Sequence, residues 1–86
     1  MEGTATALEA RVRNILLPVL GASADPSAIG PDTDLWKSGL DSLGSVSLMT
    51  GLEDEFGIEF PDALLTRETF TSLNRIVAAV DGLVEP

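Results

Sequence analysis

Apolar residues recur at steps of three and four positions in three separate segments of this 86-residue chain, namely residues 8–19, 48–56 and 73–80. Because this spacing places the apolar side chains on one face of a helix, it predicts three long amphipathic helices. A short helical turn is expected in addition at residues 61–65. The sequence therefore predicts an all-α fold, a small four-helix bundle with three long helices and one short helix, formed as a single domain over residues 1–86.

The first helix contains a proline close to its expected C-terminus. Pro18 removes a backbone hydrogen bond and disfavours the helical conformation of Leu17, so we expect a kink or an end there, with Gly21 as a later stop. Residues 21–40 then combine proline, glycine, aspartate and serine, which is the composition of a loop. A loop of this length needs its own anchors, and the predicted ones are the apolar residues Ile29, Leu35 and Trp36.

The second helix has signals at both ends. Asp41 is a residue type that caps helix N-termini, and Gly57 can adopt the left-handed conformation that ends a helix, so this helix is predicted over residues 42–56. Its interior contains Gly44 and Gly51, each of which costs about 1 kcal/mol of helix propensity relative to alanine. We therefore expect another helix or a ligand to approach closely at these two glycines.

The last third of the chain is predicted to contain the short turn and the final helix. The residue before Pro61 avoids the helical region, so an extended segment precedes the turn. The final helix is expected to begin near Thr69 or Thr71. Its predicted inward-facing residues are Leu73, Ile76, Val77, Val80 and Val84.

The composition excludes several kinds of site. The chain has no histidine and no cysteine, which rules out disulfides, thiolate chemistry, zinc fingers and histidine-based triads. Five basic against fourteen acidic residues give a formal charge of −9, which repels nucleic acid and anionic membranes and favours a basic protein partner. No apolar stretch approaches the roughly 18 residues of a membrane span, and the first residues lack the features of a signal peptide, so a cytoplasmic location is expected.

Ser42 is distinguished by its position at the expected N-terminus of the second helix. A phosphate attached there would be stabilised by free backbone N–H groups and by the helix dipole. A nucleophilic role is not favoured, because a nucleophile elbow needs glycine two positions earlier, where Leu40 stands, and because no histidine base is available. Ser42 is therefore predicted to be an attachment point, and its alternative role is that of a helix cap.

Three aspartates in the long loop raise the question of a calcium site. Asp25, Asp32 and Asp34 precede Ser42, but their spacing lacks the mid-loop glycine and the terminal glutamate of an EF-hand. The loop is therefore expected to be solvated and rich in turns, with these carboxylates capping local backbone groups. No metal site is predicted.

The segments around Ser42 together resemble the acyl carrier protein family. The matching segments are Leu35-Trp36, Gly39-Leu40, Asp41-Ser42-Leu43, Leu52-Glu53-Asp54-Glu55-Phe56 and Ile58-Glu59-Phe60-Pro61-Asp62. The resemblance covers essentially the whole chain. It implies that a separate phosphopantetheinyl transferase, using coenzyme A and magnesium, attaches 4′-phosphopantetheine to Ser42, and that the thiol of this arm holds cargo as a thioester. A carrier of this kind catalyses no reaction itself.

The residues next to Ser42 indicate how partners would recognise such a carrier. Asp41 is expected to act as the helix cap and also to offer a carboxylate to the basic groups or the bound cation of a transferase. Unlike fatty-acid carriers, this chain has no charge in the two turns after Ser42, so docking should depend on shape and apolar contact. The predicted partner-binding residues are Leu43, Gly44, Val46, Ser47, Thr50 and Glu53.

The neutral start of this helix and the segment over residues 58–73 are similar to the small free-standing aminoacyl carrier proteins. In that group, a ligase resembling the catalytic core of a class II seryl-tRNA synthetase activates an amino acid with ATP and loads it on the arm, from which a downstream transferase can take it. The preferred expectation is therefore an amino acid cargo. The alternatives are an acyl carrier of the fatty-acid or polyketide type, and a non-enzymatic helical protein-binding module in which Ser42 is only a cap.

Overall fold

The computed structural model describes residues 2–21 and 25–84, and the regular structure within them is helical, as predicted. It contains three α-helices, α1 (Glu2–Leu20), α2 (Ser42–Phe56) and α3 (Leu73–Leu83), and three single-turn 3-10 helices, Pro26–Ala28, Asp62–Leu64 and Glu68–Phe70. The turn Asp62–Leu64 occupies the place of the predicted short helix. Residues 22–24 of the predicted loop lie outside the described residues. None of the helices in these two ranges is long and apolar enough to cross a membrane.

One apolar core joins the three helices, with α1 packed against both α2 and α3. The predicted stripe of α2 is fully buried at Leu48 and Leu52, while Phe56 is half-buried with the Arg11 guanidinium 4.4 Å from its ring centroid. Val84, which was expected to face inward, follows the end of α3 and is 37% exposed. The buried apolar residues are Val12, Leu16, Leu20, Ile29, Leu35, Leu40, Leu48, Leu52, Phe60, Phe70, Leu73, Ile76 and Val80.

The first helix does not end at Pro18, although its predicted stop at Gly21 is confirmed. α1 continues through Pro18 and ends at Leu20. Pro18 is exposed, whereas Leu20 is buried and holds the last turn against the core. Gly21 then adopts a φ of +96°, and its N–H donates to the carbonyl oxygen of Leu17 at 3.3 Å. The packing of Leu20 therefore outweighs the one hydrogen bond that proline removes.

The last helix begins later than predicted, at Leu73 instead of Thr69 or Thr71. Ser72 has an extended backbone (φ −147°, ψ 164°), and its Oγ accepts a backbone N–H from the first turn at 3.2 Å, so it is the N-cap. The carbonyl oxygen of Thr71 accepts the N–H of Leu35 at 2.8 Å. This carbonyl is thus used to bind the long loop, and the helix starts after it.

The described part of the loop between α1 and α2 is ordered by its predicted anchors. Ile29 and Leu35 are buried, and Trp36 is half-buried. Four hydrogen bonds join this loop to α1 and to the start of α3. They are Arg13 Nη1 to the Ile29 carbonyl (2.7 Å), Leu35 N–H to the Thr71 carbonyl (2.8 Å), Asn74 N–H to the Pro31 carbonyl (2.9 Å) and Asn74 Nδ2 to Asp32 Oδ1 (2.8 Å). The loop ends at the buried Leu40, so the residues that begin α2 have a fixed position.

The two glycines inside α2 lie where this helix packs closely against α1. A Cβ atom built at Gly51 would lie 2.9 Å from Cγ2 of Ile15, and one at Gly44 would lie 3.2 Å from Cγ1 of Val19. A side chain at Gly51 would therefore force Ile15 to move, and one at Gly44 would fit only if its neighbours shifted by a few tenths of an ångström. The expected reason for these glycines is confirmed, and the neighbour is another helix.

Candidate functional site

The N-terminus of α2 is capped by Asp41, as predicted. Asp41 has an extended backbone (φ −128°, ψ −175°), and its Oδ1 accepts the N–H of Gly44 at 2.7 Å. Its carbonyl oxygen accepts the N–H of Ser45 at 2.8 Å. Ser42 is the first helical residue and is exposed. Because the carboxylate of Asp41 supplies the cap, the hydroxyl of Ser42 is not needed for it.

We expect Asp41→Ala to lower the free energy of unfolding by about 1 kcal/mol, because the N–H of Gly44 loses its acceptor. Asp41→Asn keeps a capping oxygen and should lose less. Ser42→Ala should stay within about 0.5 kcal/mol of the unsubstituted protein. Urea denaturation followed by circular dichroism measures all three. A loss for Ser42→Ala as large as that for Asp41→Ala would contradict this assignment of the cap.

A groove with a volume of about 370 Å³ opens beside Ser42, between α2 and the segment that precedes α3. Phe70 is buried there and Met49 is half-buried, whereas Val46 and Leu65 are exposed. A group attached to Ser42 would therefore have an apolar surface next to it. The groove is lined by Trp36, Ser42, Ser45, Val46, Met49, Leu65, Thr66, Arg67 and Phe70.

The chemistry of this groove suits a phosphate ester better than a reactive serine. None of the side chains that line it is a carboxylate, and the chain has no histidine, so no lining group can act as a base for the Ser42 hydroxyl. The N–H groups of Ser42 and Leu43 belong to the first turn of α2, where a helix offers them no acceptor. These N–H groups and the helix dipole would stabilise an anion attached to Ser42 Oγ.

Exposed apolar side chains surround this end of α2. Leu43 is 82% exposed and Val46 is 56% exposed, as the sequence predicted for these two residues. Ser47 and Thr50, on the same helix, are also exposed. Leu65 is 43% exposed on the opposite side of the groove. Together these residues form a neutral surface around Ser42.

Two of the residues predicted to bind partners also have contacts within the protein. A Cβ atom built at Gly44 would lie 3.2 Å from Cγ1 of Val19 in α1, so helix packing gives a reason for its small size, and its contact with partners stays a prediction. Glu53 is half-buried, and its Oε2 accepts the N–H of Phe60 at 2.8 Å, which fixes the segment after α2.

The loop aspartates form turns and local contacts. Asp25 Oδ1 accepts from the backbone and the hydroxyl of Ser27 at 3.0 and 2.8 Å, and Asp34 Oδ1 accepts the N–H of Trp36 at 3.0 Å. Asp32 Oδ1 accepts from Asn74 Nδ2 at 2.8 Å. In the part of the chain that the structure describes, no three carboxylates are grouped in a way that could hold a metal ion.

The side of the groove opposite α2, its far wall, is formed within residues 65–70 and could not be predicted from the sequence. Trp36 was predicted to anchor the loop, with a role in lining a path for cargo as the alternative. Its indole Nε1 donates to the carbonyl oxygen of Arg67 at 3.0 Å, and the Arg67 guanidinium lies 4.5 Å from its ring centroid. The residues on this wall, from Leu65 to Phe70, are more than twenty positions from Ser42. No local pattern indicates that they meet it.

Comparison with known proteins connects this geometry to a family. Residues 10–80 match the family described as the phosphopantetheine attachment site. Over 78 residues the chain is 41% identical to the aminoacyl carrier protein of Agrobacterium fabrum. This alignment covers 91% of this chain and 94% of that protein.

Solved structures agree with this match. One similar structure is the crystal structure of an engineered Bradyrhizobium japonicum glycine:[carrier protein] ligase complexed with carrier protein from Agrobacterium tumefaciens and AMP. A chain of that structure superposes on this one with a TM-score of 0.79 at 40% sequence identity. The superposition covers 85% of this chain and 97% of that chain. The solution structure of a holo acyl carrier protein from Nitrosomonas europaea superposes with a TM-score of 0.74 at 31% identity, covering 87% and 92%.

Proposed function

Because the chain belongs to the phosphopantetheine attachment site family of carrier proteins, we propose that Ser42 is the residue to which its prosthetic arm is attached. Carrier proteins of this family are not enzymes. The observation that supports Ser42 most strongly is its exposed position at the N-terminus of α2, while Asp41 supplies the cap. We further propose that residues 1–86 act as one carrier domain.

The residues at this end of α2 fit the group that the family bears. Ser42 Oγ supplies the attachment oxygen, and the N–H groups of Ser42 and Leu43 belong to the first turn of α2, where a helix favours a negative charge such as that of a phosphodiester. Asp41 uses Oδ1 for the cap, and its second carboxylate oxygen can contact the basic groups or the bound cation of a transferase. When attached, phosphopantetheine supplies a terminal thiol that holds cargo as a thioester.

We propose that the cargo is an amino acid. The relative from Agrobacterium fabrum is named an aminoacyl carrier protein, and carrier proteins have been crystallised with glycine:[carrier protein] ligase. The uncharged start of α2 supports the same choice, because fatty-acid carriers present acidic residues there. The proposed partners are a phosphopantetheinyl transferase, an amino acid:carrier protein ligase and a downstream transferase, all in the cytoplasm, where coenzyme A and ATP are available.

A direct competition between cargoes tests this proposal. The chain bearing its arm is incubated with glycine, ATP and the Bradyrhizobium japonicum ligase, and separately with malonyl coenzyme A and a malonyl transferase. Intact mass spectrometry then measures the acylated fraction. We expect a glycyl thioester that hydroxylamine removes. Exclusive acceptance of malonyl groups would instead favour the fatty-acid or polyketide type of carrier.

We propose that partners contact the surface formed by Leu43, Gly44, Val46, Ser47 and Thr50, with Glu53 at its edge. Leu43→Ala is expected to reduce the efficiency of aminoacyl loading by about tenfold, because an exposed leucine beside the reacting arm loses its contact with the enzyme. Stability should change by less than about 0.5 kcal/mol. The measurement is kcat/KM for loading.

A matched control is Val84→Ala, which truncates an exposed apolar side chain just after α3 and should leave loading unchanged. Equal effects of the two substitutions would contradict the proposed surface. The alternative of a binding module in which Ser42 is only a cap is not supported, because Asp41 fills that role.

A further inference from the structure

Arg67 differs from the other three arginines in the partners of its guanidinium. Among the side chains that the structure describes, each of the other arginines has a carboxylate partner, and no ion pair involves Arg67. The three pairs are Arg11–Glu55 (2.9 Å), Arg13–Glu9 (3.5 Å) and Arg75–Glu68 (3.2 Å). The positive charge of Arg67 is therefore not neutralised within this part of the protein.

Trp36 holds Arg67 in place. The guanidinium carbon of Arg67 lies 4.5 Å from the centroid of the Trp36 ring, and the carbonyl oxygen of Arg67 accepts both the indole N–H of Trp36 (3.0 Å) and the hydroxyl of Thr71 (3.1 Å). Stacking on a ring uses the face of the guanidinium and leaves its in-plane N–H donors available. Arg67 is thus an oriented cation whose donors can bind another group.

The groove beside Ser42 carries a positive charge although the chain as a whole is negatively charged. The chain has a net charge of −9, yet Arg67 lies on the groove beside Ser42, where the neighbouring exposed side chains Val46 and Leu65 are apolar. The acidic run of α2 begins eleven residues after Ser42, at Glu53, roughly 16 Å along the helix. Asp41 is the exception near Ser42, and its Oδ1 is already bonded to a backbone N–H.

Resting on the proposed function, we infer that Arg67 pairs with a carboxylate on the ligase that loads the arm, and that it helps to select this partner. An enzyme that covers Ser42 also covers Arg67, because both line one groove. Burying a guanidinium without an anion is unfavourable, so a well-matched partner must supply one. A carboxylate binds the planar guanidinium with two parallel hydrogen bonds and so gives the best match. The loading enzyme thus places an acidic group against Arg67 at the Ser42 groove, although the carrier itself is strongly acidic.

Steady-state loading of the arm-bearing protein by the Bradyrhizobium japonicum glycine:[carrier protein] ligase tests this inference. Arg67→Glu is expected to raise KM for the carrier by about tenfold or more, with little change in kcat, because two carboxylates would then face each other. Arg67→Gln should raise KM by a smaller factor. Added salt should raise KM for the unsubstituted protein more steeply than for Arg67→Gln.

The matched control is Arg75→Glu, which makes the same charge change at an exposed arginine that pairs with Glu68 and does not line the Ser42 groove. Its KM should stay within about twofold of the unsubstituted value. An unchanged or lowered KM for Arg67→Glu overturns the inference, as does a failure of the ligase to load the unsubstituted protein. A shift of the 31P resonance of the free arm in Arg67→Gln also overturns it, because Arg67 would then bind the arm's own phosphodiester. Attachment of the arm to Ser42 is measured separately by mass and does not depend on these outcomes.

Discussion

Ser42→Ala is expected to abolish attachment of the phosphopantetheine arm and, with it, all loading of cargo. The substitution removes the oxygen atom that we propose as the attachment point. This oxygen is not needed to cap α2, because Asp41 supplies the cap. Incubation with coenzyme A and a phosphopantetheinyl transferase should therefore add the mass of the arm to the unsubstituted protein and nothing to the variant. The free energy of unfolding should differ by less than about 0.5 kcal/mol, which separates a missing oxygen from a misfolded protein.

Ser47→Ala is the matched control for this experiment. Ser47 is also an exposed serine of α2, five positions further along the helix, so the same atom is removed from the same kind of surface. This variant should still gain the arm, although its rate of modification can fall if the transferase contacts Ser47. Full modification of Ser42→Ala would exclude the assignment.

Gly51→Val is expected to cause the largest loss of stability, about 3 kcal/mol. The first added carbon would lie 2.9 Å from Cγ2 of Ile15, and valine adds two further methyl groups. Ile15 is branched at Cβ and strongly prefers one rotamer in a helix, so it cannot turn away at low cost. α1 and α2 would have to separate. Thermal and urea denaturation measure the loss.

Gly82→Val provides the control, because a Cβ atom at Gly82 of α3 meets no other atom within 4 Å. Its effect should be no more than about 0.5 kcal/mol in either direction. In a double-mutant cycle, Gly51→Val should cost less when Ile15 is already alanine, with a coupling energy of about 1 kcal/mol. Equal losses at the two glycines, or no coupling, would contradict the close approach of the helices.

Local signals explain why the bounds of α2 could be predicted from the sequence. Asp41 and Gly57 act through their own backbone conformations: Asp41 is extended with a bonded carboxylate, and Gly57 adopts a φ of +63°. These preferences belong to single residues and survive in the folded protein. The predicted range, residues 42–56, therefore agrees with the observed helix.

Contacts between distant segments explain what the sequence could not predict. The start of α3 is displaced because the carbonyl of Thr71 binds the N–H of Leu35, thirty-six positions away. The approach of Gly44 to Val19 likewise depends on how α1 and α2 pack. Arg67 reaches the groove for a similar reason, because its position depends on the indole of Trp36.

The position of the arm on the unsubstituted protein tests the central claim most directly. Cleavage after Lys37 and Arg67 releases residues 38–67, a peptide that contains Ser38, Ser42, Ser45 and Ser47. After incubation of the chain with coenzyme A and a transferase, tandem mass spectrometry of this peptide locates the added group. The account predicts phosphopantetheine on Ser42 alone. A peptide that stays unmodified, or one that bears the group on another serine, would contradict it.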